Sequence, residues 1–460
     1  IFASMNVIND LISALLPYTE GAMLVLLLGG GLFLALYSRF TPYCNFKHAI
    51  EIIRGKYDKE GATGEVSHWQ ALSAAIASTV GLGNISGVAI AVYLGGPGVI
   101  FWIWMTALLG MAIKYYSCSL AVMYRGVDSE GVAQGGPMYY MTRGLGKLGA
   151  PLAIFYAIMG MIGYLAIFQA NQFTQTFMEV VRPNETLVDL GSAFAWKALI
   201  GVVLASITAT VIFGGVQKIA QVATRIVPPM VGFYLLAVLF VLATNAGGIL
   251  PAFKLILIEA FNFETAVTGG LWGVIILGAR RAMFSNEAGL GSAPMYHGQS
   301  KTDEPVQEGL VAMLGPFIDT IVVCTLTALV ILISGAYLEA ETNGILMTLI
   351  AFKKTLFGWG DVLLMIAVTA FALSTILTYS YYGVKSLSFL AGNKIGKSFN
   401  YFYIITIIIA AIASVDLVVN LMDLAYALML IPNMIAVLLL APKVNAAASD
   451  YFKRYKESKL

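Results

Sequence analysis

The chain has 460 residues, of which 59% are hydrophobic and only 11% charged, with a formal net charge of +2. That charge fraction is far below the roughly 25% of soluble domains, and apolar stretches of about 20 residues recur along the whole length, so a polytopic α-helical membrane protein is expected, embedded in a lipid bilayer. No P-loop, HExxH or GxSxG motif is present, and Cys44, Cys118 and Cys324 have neither CxxC nor zinc spacing; an enzyme, a nucleic-acid partner, a bound cofactor and a disulfide framework are therefore not expected.

Apolar runs between charged or Pro/Gly-rich breaks predict eleven spans, at 20–39, 67–95, 97–124, 151–181, 196–215, 219–244, 266–296, 306–337, 361–390, 399–415 and 417–441. The first is numbered helix 0 and the others helices 1 to 10. The N-terminus lacks a basic region followed by a cleavage site, so no signal peptide is expected. With that terminus outside and the C-terminus cytoplasmic, 21 Lys and Arg fall on the inner side. Only Arg182, Lys197, Lys254, Lys353 and Lys354 fall on the outer side, which is the positive-inside pattern of a multi-pass cell-membrane protein. The organisation expected is an N-terminus, extra helix and cytoplasmic link (1–66), a first repeat (67–244), an extracellular loop helix (245–265), a second repeat (266–441) and a cytoplasmic tail (442–460). The loops at 245–265 and 338–360 are too short and too charged to span, and suit amphipathic helices on the outer surface, either as lids over an outward opening or as surface helices with no gating role.

Helix 1 contains "STVGLGNISG" (78–87) at its centre. Glycine costs about 1 kcal/mol in a helix interior, and an unwound backbone in lipid needs partners for its freed N–H and C=O groups. Amides at the start of the second half suit a carboxylate, while carbonyls ending the first half suit a cation. Tight helix packing is the alternative for a Gly-x-Gly alone. Ser78, Thr79, Asn84 and Ser86 around the break favour a cavity. In helix 3, Phe168, Asn171 and Gln172 fall near mid-membrane, where an unpaired amide is costly; each amide is expected to meet substrate, the helix 1 break or a neighbouring helix. In helix 6, Gly273 and Gly278 are expected to bracket a second break, with the later "GLGS" (289–292) too near the cytoplasmic loop to be its counterpart. Trp272 is expected to cap the pocket or sit in the interfacial belt. Two interrupted spans, five helices apart, point to 5+5 inverted repeats of a secondary transporter. Lys114 is expected to snorkel toward the cytoplasm, Glu287 to pair with Arg280 or Arg281, and Asp319 in helix 7 to join an ion site, carry a proton or form a structural pair.

The strings "GGPGVIFWIWMTALLG" (95–110), "RAMFSNEAGLGSAP" (281–294) and "FALSTILTYSYYG" (371–383) resemble the signatures of the alanine or glycine:cation symporter family, within the amino acid, polyamine and organocation superfamily. The resemblance extends from helix 0 to helix 10 and implies the leucine-transporter fold with helices 1 and 6 broken. Ala282 and Thr378-Tyr379 depart from the family pattern, which bears on pocket size. By that resemblance, the carbonyls of Ala77, Val80 and Phe371 and the hydroxyls of Ser374 and Thr375 would hold a sodium ion, the coupling ion. The amides of Leu82 and Gly83 would take a substrate carboxylate, with Thr79 and Asn84 close to it or to a second ion. Phe168, Trp272, Gly273, Ile276, Thr375 and Tyr379 would bound a pocket for a small side chain.

The expectation is a sodium-coupled symporter importing alanine, in either enantiomer, and glycine by alternating access. A proton-coupled or exchange-mode amino acid transporter is the alternative. A channel would need a continuous polar file, which the pattern lacks.

Overall fold

The structure, a computed structural model, describes residues 2–128, 131–181, 190–262, 270–339, 344–356 and 358–457, with side chains from residue 9 onward in the first helix. Arg182, Lys459 and residues 266–269 of the seventh predicted span lie outside the described residues.

The chain is built almost wholly from helices. Helix α1 (Phe2–Leu24) passes through a π-helical turn at Val25–Gly29 into α2 (Gly30–Tyr37), and two short helices, α3 (Thr41–Cys44) and α4 (Phe46–Ile53), follow. Helix α5 (His68–Thr79) and α6 (Val88–Gly95), joined through a π-turn at Gly83–Gly87, form one apolar span bent by 54°. Next come α7 (Val99–Met123), a hairpin of β1 (Gly126–Val127) and β2 (Ala133–Gln134), α8 (Pro137–Gly144), α9 (Gly149–Gly163), α10 (Ile167–Val181), α11 (Leu190–Ile212) and α12 (Gly215–Thr244). The second half holds α13 (Ile249–Glu259), α14 (Leu271–Asn286), α15 (Ala293–His297), α16 (Pro305–Ala312), α17 (Leu314–Pro316), a π-helical stretch at Phe317–Cys324 and α18 (Thr325–Ser334). It closes with α19 (Ile345–Thr355), α20 (Gly360–Ala391), α21 (Asn393–Gly396), α22 (Phe399–Ile412) and α23 (Val415–Lys456).

Among the described residues, nine helices are long and apolar enough to cross a membrane, or ten with the bent pair counted as one. The remaining predicted span corresponds to α14 and α15, neither long enough alone. Leu199, Val202 and Val203 on α11, Leu236, Leu239 and Phe240 on α12, and Tyr401, Phe402 and Ile405 on α22 are exposed, the pattern of a surface wetted by lipid.

Four features differ from the sequence expectation. The second break is not between Gly273 and Gly278: α14 runs unbroken through both and ends at Asn286. Gly278 serves packing instead, because a Cβ there would lie 2.6 Å from Trp102 Cβ on α7. The third predicted helix is interrupted at residues 164–166, between α9 and α10. The predicted tail is helical to Lys456 as a continuation of α23, which carries Pro432 and Pro442 within it. The second loop helix, α19, does not lie on the surface: Ile345, Met347, Thr348, Leu349, Ala351 and Phe352 are all buried, and it packs on α6, α10, α18 and α20.

Candidate functional site

The break after α5 has a local cause. Ser67 and Gln70 form a capping box that starts the helix. At its other end Val80 turns extended (φ −72°, ψ 92°), and Asn84 Oδ1 accepts the freed Gly81 amide at 2.9 Å. The released Ala77 carbonyl faces α20. Thr375 Oγ1 lies 3.5 Å from the Ala77 carbonyl oxygen and 3.2 Å from that of Phe371, and Ser374 Oγ lies 3.0 Å from the same Phe371 oxygen. Ala77, Val80, Phe371, Ser374 and Thr375 are all buried, so neutral oxygens from two helices converge in a dry setting. Gly81 is required beside them, because a Cβ there would collide with Thr375 Oγ1.

The second break lies at residues 287–292, where Glu287 (φ 55°), Gly289 and Gly291 (both φ 84°) adopt left-handed backbone. Pro294 in the first turn of α15 restarts the helix. Three of the freed groups here are paired by side chains, as membrane burial favours. Asn286 Oδ1 accepts the Ala288 amide, Asn433 Nδ2 donates to the Gly289 carbonyl at 2.7 Å, and Tyr156 donates to that of Leu290 at 2.7 Å.

The end of α14 meets the start of the second half of the first bent span. A Cβ on Gly83 would lie 3.2 Å from the Phe284 ring, and Phe284 stands edge-on to Phe168 at 4.7 Å. Asn84 Nδ2 donates to Asp319 Oδ1 at 2.8 Å and to Ser285 Oγ at 3.1 Å; Ser285 also donates to Asp319. Asp319 sits in the π-helical stretch, a feature frequent at functional sites. Thr79 stands beside it, its hydroxyl facing that carboxylate. Apart from each other, Thr79 Oγ1 and Asp319 Oδ2 have no hydrogen-bond partner among the described residues, and a buried hydroxyl and carboxylate oxygen side by side are suited to a cation or a proton.

Several expected residues stand elsewhere. Trp272 is 73% exposed and Gly273 and Ile276 are half-buried at the start of α14, so Trp272 does not cap a pocket. Asn171 Nδ2 is occupied by the carbonyls of Ala410 and Ala413 at the end of α22 and acts as helix-to-helix glue. Gln172 instead meets the first bent span, with Oε1 accepting Ser86 Oγ at 2.5 Å. Leu82 is buried within the first break, one residue before its π-turn. Lys114 does not snorkel: it is 3% exposed, packs against Gly315, and stands in the electrostatic field of Glu287 and Asp319.

Glu287 does not pair with its sequence neighbours. Tyr379 donates to its Oε1, Tyr426 lies 2.8 Å from the Tyr379 hydroxyl, and Oε2 lacks a partner among the described residues. Arg281 binds Asp423 Oδ2 at 2.5 Å and lies over the Phe284 ring, while Arg280 reaches Asp423 and Glu20 of α1. Phe284, Ser285, Asp423 and Tyr426 carry no sequence spacing that marks them; only "NEAGLGS", with its two glycines, signals a break.

The sequence profile of the sodium:alanine symporter family matches residues 5–460. The chain belongs to that family. It is 42% identical to the sodium/alanine symporter AgcS of Methanococcus maripaludis over 95% of this chain and 94% of that one. It is 34% identical to the amino-acid carrier protein AlsT of Bacillus subtilis (98% and 93% covered) and 34% identical to that organism's probable sodium/glutamine symporter GlnT (99% and 91%). Among solved structures, MhsT in complex with L-phenylalanine superposes with a TM-score of 0.58 at 15% identity, covering 84% of this chain and 98% of that one. A Na+-coupled sialic acid symporter in a substrate-bound outward-open state gives 0.51 at 16%, covering 88% and 80%. This member of the sodium:alanine symporter family thus has the leucine-transporter-type fold, and it is a multi-pass membrane transporter rather than an enzyme.

Proposed function

We propose that the protein is a sodium-coupled symporter that imports small neutral amino acids, alanine in both enantiomers and glycine, by alternating access. The observation that carries this reading is the convergence of the Ala77 and Phe371 carbonyls with the Ser374 and Thr375 hydroxyls. A hard monovalent cation prefers such neutral oxygens, and Val80 supplies a further carbonyl as the helix ends. A sodium ion there ties α5 to α20.

The amides of Leu82 and Gly83 open the second half of the bent span, where the positive helix end suits a substrate carboxylate. Thr79 Oγ1 and Asp319 Oδ2 hold a second cation beside it. Phe168 and Phe284 close the side-chain pocket. Backbone groups that hold the carboxylate and ammonium leave chirality to that pocket alone, which is why both alanine enantiomers are expected to compete. Residues 67–244 and 266–441 form the two inverted repeats, with the N-terminus outside and the basic end, where α8, α15 and the end of α23 lie, in the cytoplasm.

Liposome uptake of labelled alanine with and without an inward sodium gradient tests the reading. Accumulation only with sodium is expected; uptake driven equally by potassium, or by a pH gradient alone, contradicts it. The buried Asp319 Oδ2 favours a second reading, proton coupling, which the pH-gradient arm detects.

A further inference from the structure

Beyond the transport site, one buried cluster joins the inner halves of both interrupted spans. Glu308, on α16, is fully buried, and its two carboxylate oxygens are claimed separately. His297 Nδ1, at the end of α15, lies 2.5 Å from Oε1, and His68 Nδ1, at the start of α5, contacts Oε2. His68 and His297 are 3% and 1% exposed. Hydrogen bonds to an ionised acceptor are about twice as strong as neutral ones, and burial raises the cost of leaving them unmade.

The surroundings reinforce the tie. Glu65 and Val66, just before α5, donate backbone hydrogen bonds to the Gln299 carbonyl at 2.7 and 3.2 Å, and Lys301 donates to that of Val66 at 2.7 Å. Arg125 binds the carbonyls of Thr63, Gly298 and Thr302. The two half-helix ends are thus zipped together, and His68 also faces Asp58, at 3.8 Å from Nε2, and the charge of Arg125. Helix α16 packs along α7, so Glu308 is fixed to a part of the bundle that is not interrupted.

We propose that Glu308, as a positioning residue, is the latch that shuts the transport path at the basic end: it holds α5 and α15 against α16 through His68 and His297. Helix α5 is then fastened at its start by the latch and at its end by the oxygen cluster at Ala77. The two fastenings favour the same closed arrangement, so loosening one weakens the other by the same factor. The sodium part of this inference rests on the proposed coupling ion.

The chain carries its own reporter. Cys118 on α7 is fully buried in a small cluster with Ala75 of α5, Ala293 of α15 and Ala312 of α16. Opening of the latch uncovers it, while Cys44 is already exposed with the latch shut. The test is N-ethylmaleimide labelling of the full chain in liposomes, read by peptide mass spectrometry as Cys118 relative to Cys44. Glu308→Gln, which puts a donor where an acceptor is needed, and His297→Leu are expected to raise Cys118 labelling and the sodium concentration for half-maximal uptake, each on the order of tenfold. Saturating sodium is expected to restore protection. His297→Asn, whose amide keeps a donor at the Nδ1 position, is expected to behave like the unaltered protein.

Unchanged Cys118 protection in both Glu308→Gln and His297→Leu overturns the latch, and so does equal labelling of His297→Asn and His297→Leu. If Glu308→Gln raises labelling but sodium never restores protection, the coupling-ion reading fails and the latch stands. If sodium drives uptake and protects Cys118 while the latch variants stay flat, the reverse holds.

Discussion

At the scale of single residues, the site depends on side chains that replace helix hydrogen bonds. Thr375 faces the end of α5 with one hydroxyl, between the carbonyls of Ala77 and Phe371. Thr375→Ala is expected to raise the half-saturating sodium concentration at least about tenfold, the worth of one lost polar contact in a dry site. Thr375→Ser, which keeps the oxygen, is expected to stay within a few fold; uptake measured against sodium concentration checks both. Asn84 has a structural load as well. Its removal strips partners from the Gly81 amide, Ser285 and Asp319. Asn84→Ala is expected to destabilise by about 2 kcal/mol or more, since each buried polar group left unpaired costs roughly 1–3 kcal/mol. Thermal unfolding of the purified protein in detergent measures it.

At the scale of elements, the two breaks are made differently. The first uses glycine beside a bulky hydroxyl and an asparagine that caps the gap. The second uses Glu287, Gly289 and Gly291 in left-handed backbone. Gly291→Ala is expected to abolish uptake, because its Cβ would meet Pro137 and lie 2.7 Å from the Tyr156 hydroxyl in a backbone conformation alanine rarely adopts. Gly273→Ala, in the first turn of a continuous helix, is expected to leave uptake intact, since the backbone there is already helical. Parallel uptake assays on the two variants locate the break. The first interruption was legible in the sequence because its glycines and polar residues interrupt an otherwise apolar run at mid-span. The second was misread: a glycine in a membrane helix serves close packing as readily as unwinding, and Gly278 packs against Trp102. Position alone argued against "GLGS", but α14 runs unbroken to Asn286, so that its last turn, at Phe284 and Ser285, meets the first break and the interruption follows it. The same ambiguity separated Gln172 from Asn171, because which amide faces the bent span depends on where α22 ends, and no local pattern encodes that.

At the scale of the whole molecule, buried carboxylates with their hydrogen-bonding partners close both ends of the bundle around the paired breaks. At one end stand His68, Glu308 and His297. Toward the other, Asp423 on α23 binds Arg281 and Arg280 of α14, and Arg280 continues to Glu20 on the extra first helix. Removing one partner of a fully buried pair costs about 3–5 kcal/mol, and a partly exposed pair is worth less. Asp423→Ala is therefore expected to lower the melting temperature by several degrees more than Glu20→Gln, a difference readable by thermal unfolding. The helical membrane fold and the family followed from hydropathy and motif strings. These long-range pairs did not, because Glu20, Arg280 and Asp423 are separated by hundreds of residues. The oxygen cluster between α5 and α20, and with it coupled sodium and amino acid movement, is the centre of the account. The most direct test is simultaneous uptake of labelled sodium and labelled alanine into liposomes. Each flux is expected only when the other solute is present, and both are expected to fall together in Thr375→Ala. Alanine accumulation without accompanying sodium entry would contradict it.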